Sequence, residues 1–415
     1  MSGAPAGALN PSAGPVAPGS LIRVAAATAA AAVCGYVVLY LAARSLGPAG
    51  FAMFAVFWGA FGLVNGAANG LLQEATREVR LSRAPADGPR TAPMLVAAAV
   101  GAAAAAVVVG TAPAWAPAVF TASRPLSVAL LSVGLAAFCL HATLLGMLAG
   151  TGRWSHYGAL MVTDAAIRVL VAAAAFLAGW GLGGFLWATV AGSVAWLLVL
   201  ALSGGARSAA RLSTYGGVRR YLRGAFHSTA AAAASAVLVM GFPVLLKATS
   251  GELGAAGGVV ILAVTLTRAP LLVPLTALQG NLVAHFADRP GARLRALLGP
   301  AAVVLAVGML GVLAAATLGP WLLRVAFGAQ YQTSGVLLAW LTAGAVSVAL
   351  LTVTGFAAVA AAAHRAYALG WIGATFAAAL VLSLPMELQT RTVLALLCGP
   401  IVGVAVHLTA LSRAG

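Results

Sequence analysis

Asp164, Arg168 and Arg268 lie where charge is costly, inside long apolar runs of this 415-residue chain. Ionised side chains persist in hydrocarbon when they face a protein interior or a watery cavity. Asp164 and Arg168 are four residues apart, so they share a helical face and can neutralise each other. Arg268 has no acidic residue within a helical turn. An unpaired cation at depth would draw anions into a hydrated cavity; its plainer role is a contact to backbone carbonyls or to Asp164. Asn65, Asn69 and Gln73, each four after the last, form a polar stripe with Gly66 and Gly70 beside it. Such a stripe either lines a cavity or bonds a neighbouring helix that the glycines allow close. His141, alone in its apolar run, reads as a hydrogen-bonded packing residue rather than a proton relay. Arg44 and Lys247 each end an apolar run, where snorkelling to the interface accounts for both and a cavity rim would also use them.

Enzymatic chemistry has little to work with. Seven acidic residues are too few and too scattered for paired carboxylates in a loop, and no metal-ligand spacing or P-loop occurs. No metal or cofactor is expected, and transport, if any, is not driven by ATP hydrolysis within this chain. Cys34, Cys139 and Cys398 all sit in apolar segments, as small hydrophobes rather than a disulfide framework.

The elements that must position these residues follow from composition. Hydrophobic residues make up 62% of the chain, charged ones 7%, and the mean hydropathy is +1.03. No water-soluble fold of this length could solvate that surface. Crossing helices need roughly 20 mainly apolar residues, and such stretches recur from end to end, so the fold class is an all-α polytopic membrane protein. Barrels require short alternating strands instead. Apolar runs punctuated by Gly, Pro and Arg place about twelve helices, beginning near Leu21, Gly50, Thr91, Leu126, Ser155, Phe185, Ala225, Ala255, Arg295, Ser334, Ala366 and Thr392. A hairpin turn is expected at Gly179 to Gly184. Residues 1–19, rich in Gly, Pro, Ala and Ser and without charge, read as a disordered cytoplasmic tail.

The net charge of +16 is scattered singly through short loops, which suits orientation in a membrane and not nucleic-acid binding. With the N-terminus inside, sixteen basic residues fall in cytoplasmic segments, among them Arg23, Arg77, Arg153 and Arg220, against five outside, Arg44, Arg124, Lys247, Arg324 and Arg391. Both termini are therefore expected in the cytoplasm.

An internal repeat organises the spans. Leu46-Gly47-Pro48-Ala49-Gly50 matches Leu253-Gly254-Ala255-Ala256-Gly257 at an offset of 207 residues, and Pro113, Phe120 and Ser127 meet Pro320, Phe327 and Ser334 at the same offset. Each half holds an even number of helices, so the halves are parallel, related by an axis along the membrane normal. The expected organisation is a six-helix lobe over 20–203, a basic cytoplasmic linker over 204–224 and a second six-helix lobe over 225–415. The linker's arginines sit at partly helical spacing, which suits an amphipathic surface helix touching anionic lipid or, more simply, a positive-inside connection.

Arg44-Ser45-Leu46-Gly47-Pro48-Ala49-Gly50-Phe51 resembles the opening signature of polysaccharide flippases in the multidrug, oligosaccharidyl-lipid and polysaccharide exporter superfamily. Leu148 to Arg153 with Tyr157, Arg268-Ala269-Pro270, and Leu323 to Gly328 are similar to later stretches of that group, in the same order along the chain. The resemblance implies two lobes around a cavity lined by the first, second, seventh and eighth helices. It also implies flipping of a polyprenyl-pyrophosphate-linked oligosaccharide across a bacterial cytoplasmic membrane by alternating access, in cell-surface polysaccharide synthesis. Arg268 would then hold the diphosphate or an acidic sugar, helped by Arg168 or Arg44, with Asp164 as the partner of Arg168; Asn65, Asn69 and Gln73 would meet sugar hydroxyls. Glycosyltransferases or a polysaccharide polymerase are the implied partners, with membrane lipids and without nucleic acid. Cation-coupled multidrug export within the superfamily is an alternative, and a non-transporting scaffold for glycan assembly is another. The fourteen-helix lipid II flippases fit poorly, since this chain lacks their length and their charges on the first two helices.

Overall fold

A computed structural model describes residues 18–82, 88–289 and 291–413, and among them every long element is an α-helix. In chain order these are α1 (Pro18–Leu81), α2 (Pro93–Val119), α3 (Arg124–Gly150), α4 (Trp154–Leu177), α5 (Gly181–Ala191), α6 (Ala195–Leu202), α7 (Gly204–Ala210), α8 (Val218–Val239), α9 (Phe242–Ser250), α10 (Gly254–Ala277), α11 (Gln279–Ala287), α12 (Arg293–Thr317), α13 (Gly319–Phe327), α14 (Gly335–Ala360), α15 (His364–Leu382) and α16 (Leu388–Arg413). Ten described helical segments are long and apolar enough to cross a membrane, and α8 with α9, bent by 63°, makes an eleventh. The first of the ten, Arg23–Leu81, has 59 residues. At 1.5 Å per residue it would be about 88 Å long, nearly three times a hydrocarbon core. It is broken at Gly47, and its two arms, 18–46 and 48–81, bring the described crossings to the twelve expected.

The break reverses the chain. Arg23, in the first arm, donates a hydrogen bond of 2.9 Å to Ser155 Oγ, while Gly150 packs on Val79 of the second arm. Both far ends of α1 thus lie at the turn between α3 and α4. Gly47 has φ 64°, ψ 176°, a conformation open to glycine and costly for other residues. Its partner in the repeat, Gly254, has φ 54° and likewise precedes a crossing helix. The two reversals lie on the same side of the molecule, since the backbone at Gly258 is pressed against the Pro48 carbonyl. The parallel arrangement of the halves is therefore visible in the packing. The hairpin foreseen after α4 forms through Gly179 and Gly181, with φ 65° and 60°.

Helix starts fall within a few residues of those expected, except that α8 begins at Val218 rather than near Ala225. Arg219, Arg220 and Arg223 are already helical: hydropathy marks where the bilayer begins, and a helix can extend beyond it. The remaining linker is the short α7, a turn, and a strand Thr214–Tyr215 (β2) paired antiparallel with Arg90–Thr91 (β1). Arg153 ties α7 to the α3–α4 turn through the Gly205 carbonyl and Ser208 Oγ. Of the tail read over residues 1–19, residues 1–17 lie outside the described residues, and Pro18 opens α1.

The halves meet along two seams. Gly59, Gly62, Gly66 and Gly70 of the second arm face Pro243, Met240, Ala236 and Thr229 of α8 and α9, and at Gly70 the two backbones touch so closely that any side chain would collide. On the side of Gly47, the first arm is clasped by the second half: Tyr331, fully buried, donates to the Ala43 carbonyl (2.9 Å). One apolar core runs through both, from Phe51, Phe54 and Phe57 to Ile261, Leu341 and Leu396.

Candidate functional site

Arg268 projects from the middle of α10 and is 6% exposed. Its Nη1 donates to the carbonyls of Leu238 (3.3 Å) and Val239 (3.4 Å). These are the last residues of α8, whose terminal carbonyls have no partner within the helix and carry the negative end of its dipole. The guanidinium also lies over the Phe242 ring, 4.9 Å from its centroid. The arginine therefore braces the α8–α9 break, as the carbonyl-contact reading anticipated. Its other nitrogens, Nε and Nη2, are buried without a hydrogen-bond partner. The fold thus leaves two donors of this buried cation unsatisfied, which is costly for a charged group. Tyr36 of the first arm lies within electrostatic range, so the site borders the junction of the halves.

Asp164 and Arg168 pair as their spacing requires, at 3.0 Å. Arg168 also donates to the Thr189 carbonyl and lies over the Phe61 ring, which locks the pair inside the first half. Gly192 is packed beneath both side chains, leaving no room for a Cβ. His141 is 2% exposed, stacks on Phe138 with centroids 5.3 Å apart, and its Nδ1 has no partner. Neither Arg168 nor Arg44 is brought to Arg268. Arg44 is exposed near Gly328, eight residues and roughly 12 Å of helix beyond Tyr36.

The polar stripe divides. Asn65 and Asn69 are half-buried, Gln73 is exposed, and the glycines beside them form the close contact with α8. Helix packing thus accounts for the glycines, while Asn65 Oδ1 is buried without a donor. Lys247, unlike Arg44, is buried, and its Nζ donates to the Gly251 carbonyl at 2.7 Å, closing the end of α9. With Glu252 it borders a cavity of about 210 Å³ between the start of the second arm and the α9–α10 turn.

Sequence reading passed over Glu74 and Glu78, which are 1% and 2% exposed near the end of the second arm. Arg77 bridges both carboxylates, at 2.6 Å each, and Arg220 of α8 approaches Glu78 at 3.6 Å. Gly224 of α8 lies directly against Glu74, and the Tyr221 hydroxyl there is buried without a partner. The cluster brings the second arm against α8 on the arginine-rich face. Two carboxylates four residues apart in so acid-poor a chain were the available signal.

No family model matches the chain. It is 64% identical over 412 residues to uncharacterized protein Rv3630 of Mycobacterium tuberculosis, covering 99% of this chain and 96% of that one. Uncharacterized protein Rv1510 of the same species is 63% identical over 402 residues, 96% of this chain and 93% of the other. Among solved structures, an inward-facing multidrug resistance MATE family transporter of the MOP superfamily superposes with a TM-score of 0.65 at 14% identity, over 92% of this chain and 95% of that one. An outward-facing MATE transporter of the same superfamily gives 0.60 at 13% identity, over 95% and 96%. At such identities the likeness is one of fold: the chain has a MATE-like architecture.

Proposed function

We propose that this chain, which belongs to the family of the mycobacterial proteins Rv3630 and Rv1510, is a transporter that flips a polyprenyl-pyrophosphate-linked oligosaccharide across the cytoplasmic membrane. The observation that carries this reading is Arg268, a buried cation with two unsatisfied donors beside the junction of the halves. Moving a diphosphate through hydrocarbon unaided is prohibitive, and a fixed guanidinium offers it charge and two directed hydrogen bonds. Asn65, with an unmet acceptor, supplies a place for a sugar hydroxyl once the halves part. Alternating access would use this architecture, with two helical halves joined by a glycine seam on one side and a clasp on the other rocking about either. Glycosyltransferases or a polymerase would supply and consume the lipid-linked chain on the two faces.

Drug export draws support from the multidrug MATE neighbours. Against it stands the engagement of the carboxylates in the crossings of the first half: Asp164 is paired with Arg168 at 3.0 Å, and Glu74 and Glu78 with Arg77 at 2.6 Å, so all three are poorly placed to bind a cationic drug or coupling ion.

The test is leaflet accessibility of a fluorescent polyprenyl-pyrophosphate sugar in proteoliposomes. Pure protein should transfer it, and Arg268→Ala, folded and inserted normally, should reduce the rate at least about tenfold, the worth of one charge-assisted hydrogen bond. Arg268→Lys, which keeps the charge but loses the planar fork and the Phe242 stack, should fall between. Absence of transfer by the wild-type protein would refute the reading.

A further inference from the structure

His407 of α16 is wholly buried, at 0% exposure, and takes no part in the Arg268 site. Both of its ring nitrogens face oxygen. Nδ1 lies 3.0 Å from Thr354 Oγ1 of α14, and Nε2 lies 3.3 Å from the Tyr367 carbonyl of α15. The Thr354 hydroxyl is also 3.0 Å from the Leu351 carbonyl of its own helix. Tyr367 stacks on the imidazole, with centroids 6.2 Å apart and planes 7° from parallel. The pocket is shaped for the ring, since a Cβ at Gly370 would collide with Nε2. Tyr367 is the titratable side chain that faces it from α15; α14 carries none, and His364, Arg365 and Arg413 are exposed at the neighbouring helix ends. A carbonyl only accepts, so Nε2 carries a hydrogen and donates to Tyr367. The Thr354 hydroxyl has one hydrogen and two acceptors within reach, the Nδ1 lone pair and the Leu351 carbonyl. Given to Nδ1, that hydrogen leaves the ring neutral. Given to Leu351, it frees the hydroxyl oxygen to accept from Nδ1–H, and the ring is an imidazolium. Turning one hydroxyl thus satisfies either protonation state without moving a heavy atom. His141, the buried imidazole of the first half, lacks this provision, because its Nδ1 has no partner.

We propose that His407 is a proton-binding switch that sets the position of α8, whatever the transported substrate. The step adds one proton to the Nδ1 lone pair, breaks no covalent bond and turns the Thr354 hydroxyl toward Leu351. A cation in so apolar a setting pulls harder on each oxygen within reach. Charge-assisted N–H···O bonds run to about 2.7–2.9 Å, so the 3.3 Å contact with Tyr367 has room to tighten. Tyr367 lies in the first turn of α15, and its hydroxyl is within reach of Ser235 on α8. Ser235 precedes Ala236, which meets Gly66 of the second arm. It also lies three and four residues before Leu238 and Val239, whose carbonyls hold Arg268. Tightening at His407 is therefore passed along α8 to the seam between the halves. The proton has a short way to travel, since His407 is six residues, about 9 Å of helix, from Arg413 at the end of α16.

The experiment uses the full-length protein in lipid nanodiscs with isotope-labelled histidine, whose ring-nitrogen NMR signals separate neutral from doubly protonated imidazole. The signal lost in His407→Gln assigns His407, and it should gain its second proton as the pH falls from about 8 to about 5. Spin labels on Arg223→Cys and Arg413→Cys, in a background without the native cysteines, should change their distance over the same range, and the change should vanish in His407→Gln. Thr354→Val removes the hydroxyl that both forms use. The charged form loses the stronger bond, so proton binding should weaken about tenfold and both transitions should move about one pH unit lower. That joint shift serves as the control if His407→Gln does not fold. A ring that keeps one protonation state throughout, a ring that titrates while the distance stays fixed, or a distance change that persists without His407 or stays in place in Thr354→Val overturns the proposal. None of these measurements needs transport, so the flippase reading stands or falls separately.

Discussion

At the scale of single residues, the polar groups of this chain fall into those satisfied by the fold and those left over. Asp164, Arg168 and Lys247 are satisfied, by an ion pair, a carbonyl and a helix end. Arg268 and Asn65 retain buried atoms without partners, which is why they carry the proposed site. The i, i+4 pair was legible because a helical period alone brings Asp164 and Arg168 together. The carbonyl partners of Arg268 could not be named, because they lie 29 and 30 residues away, where a break in α8–α9 exposes them. Glu74 and Glu78 make a prediction at this scale. The arginines bridging them are half exposed, so each pair contributes only about 0–1 kcal/mol, while removing a buried charge leaves its neighbours poorly satisfied. Glu78→Gln should therefore loosen the arginine-rich face more than it lowers stability. Spin labels on Arg80→Cys and Arg223→Cys, in a background without the three native cysteines, should show a larger long-distance population. An unchanged distance distribution would show that the cluster does not hold the halves together.

Among the elements, glycine sets the geometry at two kinds of position. Gly47 and Gly254 hold positive-φ backbones at matching points of the repeat, and the cost of such conformations to other residues is about 1–3 kcal/mol. Gly47→Ala and Gly254→Ala should each lower thermal stability in detergent by about that much. Gly35→Ala, in a helix interior with open space around it, should be neutral or raise stability by up to about 1 kcal/mol. Equal effects at all three positions would mean that the turn conformation is not what these glycines supply. Gly66 and Gly70 act differently, by admitting α8 to backbone contact. The helices themselves were legible from apolar runs alone, since an unsatisfied backbone group in lipid costs several kcal/mol and the helix is the local solution. The bend between α8 and α9 was not, because its local signal, Gly241 followed by Pro243 at the start of α9, is shared by prolines that sit inside α10 and α12 without breaking them.

For the whole molecule, the bias of basic residues toward one face makes a prediction about orientation. A membrane-impermeant maleimide added to intact spheroplasts should label Arg324→Cys and leave Arg211→Cys unlabelled until the membrane is permeabilised, both positions being exposed. The reverse pattern would invert the assignment of both termini. The sequence by itself determined that the chain spans a membrane as helices, how many times, and that its halves repeat in parallel. These follow from local quantities, hydropathy over a window and the shared offset of 207 residues, because the bilayer leaves each segment few choices. Only the tertiary structure decided which polar groups are spent and which are left without partners, that the second arm closes on α8, that two buried glutamates lie against α8 on the arginine-rich face, and that the second half holds an apolar groove. Each depends on distant segments meeting, and a meeting of that kind is set by side-chain shape across the interface, which no window along one chain contains.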